Sequence, residues 1–153
     1  MKALESFASR FGAKIALNSQ FILEKSQRFY LLNPPVRGVV RSDFYYAGLY
    51  LGKVKEGKFF PSFNLLNMLV DISANKTVLD RKAGWLFICG RDVFRKGIVK
   101  TMGSQRKGDC TLVLNEFGEC LGFGVIAAKS DKTDFKVLVR NILDIGDFLR
   151  RER

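Results

Sequence analysis

Cys120-Leu121-Gly122-Phe123-Gly124-Val125-Ile126-Ala127 is the stretch on which the reading of this chain turns. Apolar residues dominate it, and its two glycines are two apart, the period at which strand side chains share a face. Gly122 and Gly124 therefore leave one face of a strand bare, which permits another backbone to approach closely. A turn at Glu116-Phe117-Gly118-Glu119 precedes the run, and another at Lys107-Gly108-Asp109 lies further upstream. Working outward, residues 77–79, 85–89, 98–102, 111–114 and 135–139 are the remaining strand candidates of the second half. That density of short strands predicts a small β-barrel.

The first half is patterned differently. Leu4, Phe7, Ala8, Phe11, Ile15 and Ala16 recur at spacings of three and four, interrupted by Gly12, which predicts an amphipathic helix and then a short turn. Residues 20–32 predict two short strands, paired as a hairpin through Lys25-Ser26-Gln27 and stopped at Asn33-Pro34-Pro35. Residues 36–54, with Val39, Val40, Phe44, Tyr45 and Tyr46, read as further strand and turn. Residues 64–70 have helical apolar spacing, with Ser62 or Asn64 as the cap, and this helix should close a first domain near Ala74. All three prolines precede residue 75, and nine of the fourteen glycines lie from Gly84 onward, so the expected domains are 1–74 and 75–153.

The formal charge is +11, from 26 Lys and Arg against 15 Asp and Glu, so the field of the protein attracts polyanions. No stretch approaches the roughly 18 continuous apolar residues of a membrane helix, and no signal-like segment opens the chain. A cytoplasmic protein with no membrane partner is the expectation. Cys89, Cys110 and Cys120 are widely spaced and no histidine is present, so neither a metal nor a cofactor is expected. The lack of histidine also removes the commonest general base. Asp43 is the best lone catalytic candidate, and a lone aspartate beside aromatics is more often a turn residue.

Leu86-Phe87-Ile88-Cys89-Gly90-Arg91-Asp92-Val93, Lys107-Gly108-Asp109-Cys110 and Gly118 to Gly124, taken in order, resemble a PUA domain, named for pseudouridine synthases and archaeosine transglycosylases. The stretches from Leu121 to Ser130 and from Asp144 to Arg150 look like the Nip-seven family of ribosome-biogenesis factors, of which the chain resembles an archaeal member. The likeness extends to Gly57 through Leu69 and is weak over the first fifty or so residues. It implies an α+β N-terminal domain, an antiparallel sheet with flanking helices, followed by a small PUA-type β-barrel. It further implies a non-enzymatic factor of large-subunit biogenesis and ribosomal-RNA processing that binds single-stranded, uridine-rich RNA. Pre-ribosomal large subunits and other assembly factors would be its partners. The competing readings are the RNA-binding part of an RNA-modifying enzyme, and a protein adaptor docking on pre-ribosomes.

For RNA contact, strand periodicity over 135–140 places Phe135, Val137 and Val139 on one face and Lys136, Leu138 and Arg140 on the other. Lys136 and Arg140 would then lie about 13 Å apart on one exposed edge. The residues alone also fit lysine solvating an edge strand; the resemblance, in which archaeal relatives are basic at these positions, favours RNA. Val137 and Leu143 depart from a fully basic archaeal pattern. Arg91, Arg95 and Lys96, expected around a helical turn, form a basic patch, unless Arg91 pairs with Asp92 or Asp109. Arg106 and Lys107 offer a basic loop that also reads as a solvated turn, and Arg150 and Arg151 a basic tail that also reads as structural. Trp85 and Phe123 follow apolar patterns that favour the core over base stacking. Core packing also accounts for most of Phe44, Tyr45, Tyr46 and Tyr50, which, if exposed, suggest a protein partner.

Overall fold

The computed structural model describes residues 1–41, 43–104, 106–128, 137–147 and 150. Two sheets make up the fold: an antiparallel sheet A flanked by helices, and a curled half-barrel, sheet B.

Helix α1, Lys2–Ser9, buries Leu4, Phe7 and Ala8. It ends sooner than the apolar spacing predicts. Gly12 adopts φ +67°, so the chain leaves the helix there, and Ile15 and Leu17 reach the core from irregular backbone. Strands β1, Ile22–Lys25, and β2, Arg28–Leu31, form the expected hairpin. Ser26 and Gln27 both take positive φ, as a two-residue hairpin loop requires.

The next segment differs from expectation. Pro34–Val39 is a short helix, α2, because Asn33 accepts a hydrogen bond from the Val36 N–H and a proline occupies the first turn. The Asn-Pro-Pro that ends the hairpin thus also starts a helix. Sheet A is completed by β3, Leu49–Lys55, and β4, Lys58–Pro61, in the order β1-β2-β3-β4. Helix α3, Phe63–Ile72, then starts at Ser62, whose hydroxyl accepts from the Leu65 N–H and donates to the Tyr50 carbonyl.

In the second half, β5 is Lys76–Leu79 and residues 85–89 are not the strand expected. Arg81–Ile88 is helix α4, capped by Asp80, which accepts from the Ala83 N–H at 2.7 Å. A four-residue apolar run reads equally as strand or helix, and the cap decides. Trp85 is 64% exposed on this helix, contrary to the core expectation, while Phe87 is fully buried. Strand β6, Val93–Phe94, and one 3-10 turn, Arg95–Gly97, stand where a helical turn was expected. Then come β7, Ile98–Met102; β8, Cys110–Leu114; β9, Cys120–Ile126; and β10, Val137–Asp144.

Sheet B has the order β6-β10-β9-β8-β5-β7, with β5 and β8 parallel and the other pairs antiparallel. Its curl rests on the two glycines of β9. A Cβ on Gly122 would sit 1.9 Å from the Leu143 carbonyl oxygen, and one on Gly124 2.5 Å from that of Arg140. Every residue of β8 is buried, because both of its faces are covered. Cys110, Leu112 and Leu114 face a cluster that includes Leu4, Phe7 and Phe11 of the N-terminal segment and Leu65, Leu66 and Leu69 of α3. Val113 faces the barrel interior with Leu79, Phe87, Val93, Leu138 and Val139. Sheets A and B therefore share one core.

Candidate nucleic-acid interface

The nine cations that the sequence proposes as RNA contacts meet different fates. Lys136 and Arg151 lie outside the described residues. Arg140 is exposed on β10, opposite Val125 of β9. Leu138, expected beside it on the open face, is only 6% exposed and packs inside the barrel. A register shift between Val137 and Val139 breaks the alternation, so both Leu138 and Val139 turn inward. Nor is β10 an edge strand: it is paired to β9 along one side and to the two residues of β6 on the other.

Beyond β6 that side is closed by side chains. The Asn141 N–H donates to Asp92 Oδ1 at 2.9 Å, and its side-chain amide donates to the Phe87 carbonyl at 2.8 Å and the Arg91 carbonyl at 3.4 Å. Asn141 thereby brings Arg91 alongside Arg140 although 49 positions of chain separate Asp92 from Asn141. Asp92 is used in this junction, and among the described residues Arg91 makes no ion pair with Asp92 or Asp109. Arg91, Lys96 and Arg140 are exposed, and so is Phe94, 41% accessible between the first two. Arg95 is half-buried and lines a small cleft of about 210 Å³ with Thr77, Ile98, Leu138 and Val139. The margin formed by β6, the 3-10 turn and β10 is thus a basic strip with an aromatic ring in it. Neither Phe94 nor Asn141 stands out in the sequence; the only signal is their place next to arginines.

Two other proposed contacts are engaged elsewhere. Arg150 lies 2.7 Å from Asp144 and donates to the Ile88 carbonyl at 2.6 Å. Its hydrogen bond to Asp144 raises its pKa further, and it ties the C-terminal segment to α4. Arg106 pairs with Asp109 at 3.4 Å, and the Ser104 hydroxyl and then Arg106 hold the Asp109 carboxyl below its usual range. Lys107 is exposed at the turn made by Gly108, whose N–H donates to the Ile126 carbonyl at the end of β9. Phe123, as expected, is buried, stacking edge-on against Phe7 and Phe11. Tyr45 and Tyr46 are exposed, contrary to the core expectation, while Phe44 and Tyr50 are half-buried against Tyr30.

A curled six-stranded sheet with a capping helix and an adjoining α+β unit defines a PUA-domain protein. The model of the UPF0113 PUA domain family matches residues 75–153, and this chain belongs to that family. It is 30% identical over 113 residues to a UPF0113 protein of Archaeoglobus fulgidus, covering 71% of this chain and 64% of that one. A UPF0113 protein of Aeropyrum pernix is 31% identical over 127 residues, covering 80% and 68%. The match thus spans about two thirds of the length of these relatives. Among solved structures, a conserved PUA domain protein from Thermoplasma acidophilum superposes with a TM-score of 0.66 at 25% identity, covering 99% of this chain and 92% of that one. No helix among the described residues is long and apolar enough to cross a membrane.

Proposed function

We propose that this chain is a non-enzymatic RNA-binding factor of large ribosomal subunit biogenesis, of the Nip-seven type. It holds single-stranded, uridine-rich RNA on the β6–β10 margin of the half-barrel, with residues 75–153 as the RNA-binding unit. Pre-ribosomal particles and their assembly factors are its partners.

The observation that carries this reading is the junction at Asn141, which ties the backbone of the exposed Arg91 to β10 next to the exposed Arg140, with Phe94 on β6 and Lys96 in the 3-10 turn following along the same margin. Exposed guanidinium groups along one margin suit backbone phosphates, and a half-exposed ring among them suits an unstacked base. The family membership and the charge of +11 support the same class of ligand.

Fluorescence anisotropy of a single-stranded oligouridylate, titrated across a salt series, tests it. If about four phosphates are neutralised, the log–log slope is about −3, and Arg91→Ala/Arg140→Ala makes it shallower by about 1.4. A double variant with the affinity and slope of the wild type removes the β6–β10 margin as the site.

A further inference from the structure

Sheet A has one face on the shared core and an outer face that is covered only in part. Phe29, Leu51 and Phe59 point to the shared core, so their neighbours along β2, β3 and β4 point away from it. The strand registers assemble those outward residues into rows. Lys25, Arg28, Lys53 and Phe60 form one row across all four strands. Leu23, Tyr30 and Tyr50 form the next, brought to the same face by the register shift between Phe29 and Tyr30, and Val36, Val40, Phe44 and Ala47 pack over them. Lys55 opposite Lys58 forms a third.

Three of these pairings are unfavourable for a merely structural surface. Lys25 faces Arg28, Arg28 faces Lys53, and Lys55 faces Lys58, although like charges directly opposite one another destabilise a sheet. Among the described residues Glu56, in the β3–β4 turn, pairs only with Lys55, at 3.8 Å between two exposed side chains. Arg28, Lys53 and Lys58 have no ion-pair partner among the described residues. Planar rings lie among these cations: Phe60 is 47% exposed and Tyr46 58% exposed, with Tyr46 packed 6.5 Å from Tyr50.

We propose that the uncovered part of the outer face of sheet A is a second binding surface for single-stranded RNA, on which bases stack against Phe60 and Tyr46 while Arg28, Lys53 and Lys58 hold phosphates. Cations repelling one another within a sheet are relieved by a polyanion, and aromatic rings on an open sheet accept unpaired bases. The surface also has a path to the half-barrel. A groove of about 970 Å³ begins at Tyr50 and Lys53, wraps the free edge of β4 at Lys58 and Phe60, and reaches Ile142 and Leu143 of β10. Those two residues follow Arg140 and Asn141 directly, so one strand of RNA can engage both sheets.

The test uses the full chain and a single-stranded oligouridylate of about 12 nucleotides, read by anisotropy. Phe60→Leu/Tyr46→Leu keeps apolar bulk and removes the planar faces; binding should weaken about tenfold or more. Phe60→Trp should retain it, and Arg28→Ala/Lys53→Ala should make the salt slope shallower by about 1.4. Leucine variants that bind as tightly as the wild type overturn the proposal, and if they still lose association with an acidic protein the face is a protein site. The Arg91→Ala/Arg140→Ala variant run in parallel separates this surface from the β6–β10 margin. Weakening there alone sinks the sheet A face, weakening in the sheet A variants alone sinks the margin, and a wild type that binds no RNA sinks both.

Discussion

The two halves of the molecule carry almost the same charge: ten basic against five acidic residues in 1–74, and sixteen against ten in 75–153. They present it in different places. Sheet A is covered by the shared core on one side and only in part on the other, so Arg28, Lys53, Lys55 and Lys58 rise together on the uncovered part. Sheet B is covered on both sides at its centre, where every residue of β8 is buried. A strand enclosed on both faces has no place for a solvated cation, because burying an unpaired charge is costly. The half-barrel therefore moves its cations to a margin, where Asn141 fastens the segment around Arg91 to β10. One sheet offers an area and the other a line.

The largest test of this contrast is Gly122→Ala. The added methyl has no space beside the Leu143 carbonyl, so β9 and β10 must part or sheet B must flatten. A loss of about 3 kcal/mol or more is expected in a denaturant titration. A loss well under 1 kcal/mol would mean that the tight curl is not what encloses sheet B.

Asn141→Ala addresses the margin itself. It removes the amide bonds to the Phe87 and Arg91 carbonyls and should cost about 1–2 kcal/mol in stability. RNA affinity should fall as well, although Asn141 carries no charge, because Arg91 is no longer held beside Arg140. Affinity unchanged despite the lost stability would make the two arginines independent.

The smallest effect concerns the thiols and asks whether the shared core is closed. Cys120 is buried in the cluster that joins the two sheets, and burial pushes its thiol up to about 11. At pH 8 only about one molecule in a thousand carries that thiolate. An alkylating reagent followed by mass spectrometry should therefore modify the exposed Cys89 in the native protein and leave Cys120 intact. Equal modification of both would show the sheets parting in solution. Sequence spacing leaves these cysteines equivalent; only packing separates them.

The parts legible in the sequence are those with local causes. The 26–27 hairpin turn, the Ser62 cap of α3, most strands of sheet B and the bare face made by Gly122 and Gly124 all follow from a few adjacent residues. The misread parts are short apolar runs whose type depends on a single cap, Asn33 for α2 and Asp80 for α4. Exposure was harder still. Trp85, Tyr45 and Tyr46 sit in apolar surroundings in the sequence and at the surface in the fold. Part of the candidate site was visible as residue types, since Arg91, Lys96 and Arg140 are exposed cations, but Arg150 has the same appearance and is held by Asp144.

By itself, then, the sequence determined the sign of the field, the sequence of most elements and the glycine pattern that curls sheet B, because charge, turns and caps act over a few residues. The tertiary structure alone decided which cations meet and which face each strand leaves open. The reason is geometric: one register shift, at Leu138 or between Phe29 and Tyr30, turns the following side chains over, and the strand that imposes it comes from far along the chain.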